Sequence, residues 1–188
     1  MIISIKHKHM KKIATHNSAT GEYGTLLSSL FSIFSKCQNK TLVEQYNIGV
    51  RYFDIRVRKT WRGWVCAHGL WVARKPLFDL LKTLNDAVQG DTCYITLMYE
   101  GKSTLEIMEE LKNMVESICP NLTIVYVGAK KPSWTALKTY HHIQVVSKFK
   151  GLGFATWHTY LPIPWLWKKI YFDKVEFNED YFIMVDFI

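Results

Sequence analysis

Two histidines stand in segments whose residue types suit the cleavage of a phosphodiester. His16 lies in Thr15-His16-Asn17-Ser18-Ala19-Thr20, and His68 in Cys66-Ala67-His68-Gly69-Leu70. Between them, Gly49-Val50-Arg51-Tyr52-Phe53-Asp54-Ile55-Arg56-Val57 carries a carboxylate and a guanidinium two residues apart. Histidine is the side chain whose unperturbed pKa lies near neutrality, so a pair can serve as base and acid in one reaction. The planar fork of arginine matches phosphate oxygens. Taken singly, each group has a plainer use. A lone histidine is more often a core or surface residue, and Asp54 with Arg56 would make an ion pair plugging an interior.

What raises the chemical reading is position. Side chains alternate along a strand, so Tyr52, Asp54 and Arg56 share one face, and Phe53, Ile55 and Val57 take the other, under helices. His16, the Asp54/Arg56 pair and His68 all fall where strand-like runs give way to loops. The last apolar run, Ile183-Met184-Val185-Asp186-Phe187-Ile188, holds a carboxylate at an odd place. If the sheet closes, the last strand lies beside the first. Asp186 then sits near His16 and stabilises its charged form; its plain alternative is a solvated residue at a frayed end.

The rhythm along the chain is strand then helix. Strands are expected at Lys11 to Thr15, Val50 to Val57, Trp64 to Ala67, Cys93 to Met98, Leu122 to Val127, Ile143 to Ser147 and Phe182 to Phe187; Gly153 to Trp157 and Lys174 to Phe177 compete for a further one. An irregular apolar helix follows the loop that opens at Gly21, and a helical turn spans Thr41 to Tyr46, with Gly49 ending it. Helical spacing marks Leu77 to Val88, and Ser103 to Ile118 reads as an amphipathic helix with Ser103 as N-cap and Glu106 at the capping-box position. A short helix is expected at Trp134 to Tyr140. Alternation of buried strands and helices argues for a parallel α/β protein. Eight strands would make a compact, distorted (β/α)8 TIM-like barrel. The 188 residues fall short of the roughly 250 usual for that fold, so some helices must be reduced or missing.

Composition narrows the class. With 48% hydrophobic and 21% charged residues, the chain is globular, and no linker or repeat divides it, so residues 1–188 read as one domain. The net charge of +8 favours anionic partners. The lysines are scattered and no nucleic-acid motif is present, so nucleic acid is not an expected partner. Cys37, Cys66, Cys93 and Cys119 lack any Cys-x-x-Cys spacing and read as free thiols in a reducing compartment. His7, His9, His141 and His142 read as solvated loop residues. There is no signal-peptide pattern and no apolar run of about 18 residues. The expected location is cytoplasmic or peripheral to a membrane, with secretion left open, as is the oligomeric state.

The motifs Thr15-His16-Asn17-Ser18, Gly49 to Arg56 and His68-Gly69 resemble, in order and spacing, the X-domain of phosphatidylinositol-specific phospholipase C. The Gln45 region, Ile95-Thr96-Leu97-Met98-Tyr99-Glu100 and Val185-Asp186-Phe187-Ile188 extend the resemblance to the fourth and last strands. It implies a distorted barrel in which His16, oriented by Asp186, is the base on the inositol 2-hydroxyl. Arg56 stabilises the phosphoryl oxygens, and His68, with Asp54 as partner, protonates the departing diacylglycerol. The family has a calcium version and a bacterial version with an arginine in the metal's place. Arg56 favours the metal-free version and no cofactor. Asn17, Asp54 and Glu100 match oxygen-ligand positions of the calcium version. Asn17 departs from the aspartate of the bacterial pattern, and the lysine that pattern carries near Tyr99 is absent. Asn17, Glu100 and Tyr99 are the expected substrate-contacting positions.

Residues 154–172 are rich in aromatics, including Trp157, Trp165 and Trp167, with Lys168 and Lys169 following. Tryptophan and tyrosine with lysine prefer the membrane interface, so this segment either docks on an anionic phospholipid surface or fills gaps left by missing helices. Two further functional readings stand beside the first. A metal-dependent glycerophosphodiester-type enzyme would show Arg-Gly after the first histidine and a Glu-x-Asp pair, neither of which is present. A non-catalytic phospholipid-binding domain would not need both histidines.

Overall fold

The computed structural model describes residues 13–30, 35–88, 90–101, 104–127, 143–145 and 182–185. Six parallel strands form the body of the sheet: β1 (Ile13–Thr15), β2 (Val50–Thr60), β5 (Cys93–Tyr99), β6 (Leu122–Val127), β7 (Ile143–Val145) and β8 (Phe182–Val185). They run in the order β7-β8-β1-β2-β5-β6. An antiparallel pair, β3 (Gly63–His68) and β4 (Trp71–Pro76), continues from the far end of β2. Helices α1 (Leu26–Leu30), α2 (Leu42–Asn47), α3 (Leu77–Ala87) and α4 (Leu105–Glu116) and a short 3-10 turn (Ser18–Gly21) complete the described elements.

Two expectations about the sheet need correction. Among the described residues β6 and β7 do not pair, so the sheet is not closed into the expected (β/α)8 barrel. The run around Trp64 to Ala67 is a strand, but an antiparallel one. A parallel neighbour needs a crossover of a dozen or more residues, and here tight turns intervene. Gly63 (φ 91°) ends the turn after β2, and Gly69 (φ 58°) opens the turn before β4. Left-handed glycines at these places are hairpin chemistry. The same turn makes Trp71–Pro76 a strand that the periodicity did not reveal.

The core lies on one face of the sheet. Phe53, Ile55 and Val57 of β2 and Ile95 and Leu97 of β5 pack with Leu77, Leu80, Leu81 and Leu84 of α3. Those leucines recur at helical spacing, so one stripe of α3 is buried. From α4, Leu111 and Val115 join them. The N-cap of α4 is Thr104, whose hydroxyl accepts from the Ile107 N–H, rather than Ser103. That shifts the third helical position to Ile107, so Glu106 makes no capping box. The box is instead on α2, where Thr41 and Glu44 satisfy one another's backbone N–H groups. All four cysteines are buried, and none is joined in a disulfide.

The opposite face of β2 carries Tyr52, Asp54 and Arg56, as alternation requires. Across the parallel pairing they face Tyr94, Thr96 and Met98. Strand β1 stops at Thr15, opposite Phe53. Asp54 and Arg56 are therefore not at a strand end, as the sequence suggested, but midway along β2, beside the place where its neighbour gives out. The other edge of β1 pairs with β8, Thr15 opposite Val185, which is the first-to-last adjacency anticipated from the sequence. Asp186, the aromatic segment 154–172 with Trp157, Trp165 and Trp167, the helix expected at Trp134 to Tyr140, and both candidates for the further strand lie outside the described residues.

Candidate active site

The turn after β1 is built from short polar side chains bonding to backbone. Ser18 Oγ donates to the Thr15 carbonyl at 2.7 Å, and Thr20 Oγ1 donates to the Asn17 carbonyl at 2.7 Å. Thr20 Oγ1 also accepts the Cys37 N–H at 2.9 Å and the Gln38 N–H at 3.1 Å. Two glutamine amides brace the turn from outside it: Gln38 Nε2 donates to the His16 carbonyl at 3.1 Å, and Gln45 Nε2 to the Ser18 carbonyl at 2.8 Å. Serine and threonine compete well for backbone groups in such turns. Gln38 and Gln45 are fully buried, and each Nε2 group donates to the backbone of the His16 turn, that of Gln45 to the Lys40 carbonyl as well at 2.6 Å.

Asn17 adopts a left-handed conformation (φ 45°), one that asparagine tolerates better than most residues. This turns its backbone N–H toward Asp54, whose Oδ2 accepts at 3.3 Å. Its Nδ2 lies 3.1 Å from His16 Nε2 and donates to Cys37 Sγ at 3.4 Å. Asp54 Oδ2 is also 3.9 Å from His16 Nε2.

Arg56 bridges two groups. Its Nη2 lies 3.4 Å from His16 Nε2 and its Nη1 3.5 Å from Glu100 Oε1. Glu100, just past β5, is the hub of the other half. Its Oε1 is 3.4 Å from His68 Nδ1, and its Oε2 accepts from Arg58 Nη2 at 3.0 Å and from the Gly69 N–H at 3.3 Å. The carboxylate beside His68 is thus Glu100, and Asp54 sits with His16 instead. Arg58, two residues beyond Arg56 on the same face, is a member that sequence reasoning missed; the alternation that found Arg56 also points to it. The two imidazoles stand 6.4 Å apart between centroids, at 71°.

One sequence-expected contact is on the wrong side of the sheet. Tyr99 pairs in register with Val57 and shares its face, 7% exposed in the core and edge-on to Trp64 at 5.5 Å. The alternation that brings Met98 to the polar face turns Tyr99 away from it.

The electrostatics follow from burial and charge. Burial holds His68 below the ordinary histidine range; the hydrogen bond to Glu100 opposes this, and Arg56 and His16 add to the depression. For Glu100 burial works against the charge, but His68, Arg56 and Arg58 outweigh it and hold the carboxyl below its usual range. Burial pushes the Tyr52 hydroxyl up to about 12, so that group stays protonated and shares a hydrogen bond with the Thr96 hydroxyl. Three buried polar atoms here have no hydrogen-bond partner among the described residues: Asn17 Oδ1, Asp54 Oδ1 and Arg56 Nε. Buried polar atoms are nearly always paired, so each exception calls for an explanation, of which a catalytic or binding role is one.

The donor set does not suit calcium. That ion takes about 6–8 oxygen ligands. Asn17 and Asp54 do lie together, but both oxygens of Glu100 are engaged by Arg56, Arg58, His68 and Gly69. A guanidinium stands between the two groups of oxygens. Among the described residues no three histidine, cysteine or acidic side chains are grouped as metal ligands.

In structural comparison, the fold is similar to that of phosphatidylinositol-specific phospholipase C from Listeria monocytogenes, with a TM-score of 0.58 and 12% identity over 95% of this chain and 89% of that one. Point-mutant forms of phosphatidylinositol-specific phospholipase C from Staphylococcus aureus match at a TM-score of 0.47, with 20% and 22% identity over 65% and 64% of this chain. The chain spans 50% and 48% of the length of those two. At such identities the likeness to the Listeria structure is one of fold. No protein-family model and no curated protein matches the sequence.

Proposed function

We propose that this protein is a phosphodiester-cleaving enzyme of the phospholipase C type, acting on phosphatidylinositol by internal attack. The observation that carries the reading is the pair of imidazoles 6.4 Å apart with the Arg56 guanidinium between His16 and Glu100. A base, an acid and a cation for the phosphoryl oxygens then surround one small volume, beside Asn17 Oδ1, Asp54 Oδ1 and Arg56 Nε, which have no hydrogen-bond partner among the described residues. The fold shared with the Listeria phospholipase supports it.

In the first step His16 takes the proton of the inositol 2-hydroxyl, and that oxygen bonds to phosphorus. Arg56 holds the developing charge on the phosphoryl oxygens, an interaction worth roughly 3–4 kcal/mol in comparable anion sites. The bond from phosphorus to the diacylglycerol oxygen breaks, and His68 gives that oxygen its proton. The products are diacylglycerol and a cyclic inositol phosphate. Water opens the ring in a second step, with the histidines exchanging roles.

Each histidine has a carboxylate assigned to it. Glu100 accepts from His68 Nδ1, which leaves Nε2 to face the leaving oxygen. Asp186 is assigned to His16; the pairing of Thr15 with Val185 supports it. Burial alone would keep His68 mostly neutral near pH 7. The negative phosphodiester offsets Arg56 and favours the imidazolium, so substrate itself arms the acid.

The test is phosphorus NMR of phosphatidylinositol in mixed micelles with the purified protein and excess EDTA. A new cyclic phosphodiester signal is expected. Signal only after calcium is restored would replace this mechanism with a metal-assisted one, and no signal in either condition would refute the substrate assignment.

A further inference from the structure

The antiparallel extension carries a row of exposed groups that the reaction does not use. β2 pairs with β5 as far as Val57 opposite Tyr99, then runs on to Thr60. Those three residues carry the hairpin about 10 Å past the end of β5, the side of the sheet where Glu100 lies. At the tip, Trp61 is 94% exposed and Arg62 beside it is exposed. Arg62 Nη2 donates to the Arg74 carbonyl at 3.5 Å, and the Arg74 N–H donates to the Tyr23 carbonyl at 2.8 Å. Arg74 is exposed, and Tyr23 is 81% exposed. Trp61, Arg62, Arg74 and Tyr23 therefore form one edge drawn from three neighbouring segments of chain.

Among the described residues no ion pair joins Arg62 or Arg74 to a carboxylate. The nearby carboxylates are engaged elsewhere: Glu100 by Arg56 and Arg58, Glu110 by Lys59 and the Trp64 N–H, and Glu22, beside Tyr23, by the Leu42 N–H and the charge of Lys75. An indole held in water at a hairpin tip buries almost none of its surface in the fold. Tryptophan and tyrosine are most at home at a lipid–water interface. Guanidinium groups near such an interface are drawn to anionic headgroups.

We propose that the edge Trp61–Arg62–Arg74–Tyr23 is a docking surface for an anionic lipid bilayer. Its indole enters the headgroup layer and its two arginines pair with lipid phosphates and carboxylates. It extends past the end of β5 at which Glu100 lies, so docking would bring that end of the sheet, with the candidate site, toward the membrane.

The experiment is co-sedimentation with sucrose-loaded vesicles, either of phosphatidylcholine alone or of an equimolar mixture with phosphatidylglycerol. Wild-type protein should favour the mixed vesicles, and the preference should fade with added salt. Arg62→Gln with Arg74→Gln should weaken binding to mixed vesicles roughly thirtyfold. Trp61→Ala should weaken binding to both compositions. All three side chains are exposed, so thermal unfolding should not change and serves as the control. Equal binding of wild type to both compositions, or variants that bind as wild type does, would overturn the proposal. No turnover is read, so the outcome stands apart from the phospholipase reading.

Discussion

Replacing Glu100 with glutamine tests how the candidate acid is tuned. The substitution keeps the side chain's size and one acceptor while removing its charge. Glu100 Oε1 lies 3.4 Å from His68 Nδ1. An opposite charge within about 4–6 Å shifts a titration by about one to three pH units. Here Arg56 at 3.5 Å and Arg58 at 3.0 Å share the carboxylate's field, and its side chain is 19% exposed, so the lower part of that range applies. His68 already titrates below the ordinary histidine range because it is buried. Without the carboxylate it should fall by about one to two further pH units. Each unit lost removes tenfold of the protonated form above the midpoint. For Glu100→Gln, kcat/KM at neutral pH should then drop about 10- to 100-fold, and the alkaline limb of the kcat/KM profile should move to lower pH by about one to two units. Well below both limbs the two proteins should converge. The assay is the pH dependence of phosphatidylinositol cleavage in mixed micelles. A uniform loss at every pH with an unmoved limb would refute the reasoning, because a carboxylate that only braces the Gly69 turn would produce that pattern.

His16→Ala and His68→Ala should each reduce turnover by at least about 100-fold, with thermal unfolding little changed since both rings border the polar site; retained activity in either removes its assigned role. Tyr99→Phe should leave kcat and KM within about twofold of wild type, because a hydroxyl on the core side is not a substrate contact; a raised KM would return Tyr99 to the site. Gly21→Ala should destabilise by about 3 kcal/mol or more, because a Cβ there would meet the Lys40 carbonyl oxygen at 1.7 Å; denaturant titration measures it, and wild-type stability would show that the turn relaxes. Acid should weaken the fold in two stages. An unfolded chain takes a proton at His68 from about pH 6.5 downward while the folded one resists it. Glu100, stabilising above its ordinary value of 4.5, loses its contribution below it. Unfolding midpoints followed against pH should fall through both stages; in Glu100→Gln the stage below 4.5 should flatten, while the His68 stage should deepen, because the imidazole has lost the carboxylate that favours its charge.

Much of this was readable one residue at a time. Period-two alternation placed Asp54 and Arg56 on one face and Phe53, Ile55 and Val57 on the other, and 3.6-residue spacing found the leucine stripe of α3. Single-residue patterns could not show which strand lies beside which. Trp64 to Ala67 reads the same whether its neighbour is parallel or antiparallel, and the deciding signals were the glycines at 63 and 69. Partner choice is a property of three dimensions as well. Asp54 lies fourteen residues before His68 in the chain, yet β1 brings the other histidine to it, while the parallel pairing of β2 with β5 delivers Glu100 to His68.

That exchange bears on why Asn17 stands where the bacterial pattern has an aspartate. The left-handed turn aims the Asn17 backbone N–H at Asp54 Oδ2, and its side chain lies against the His16 ring. A second carboxylate at this position would add negative charge to the turn that already holds buried Asp54, and neighbouring like charges cannot both ionise without cost. With Asn17 neutral, the negative charge divides into one carboxylate near His16 and one at His68, with Arg56 between them. On this arrangement a neutral side chain at position 17 and the placement of Glu100 against His68 belong together. Asn17→Asp should therefore not restore activity in Glu100→Gln, although it returns the net charge.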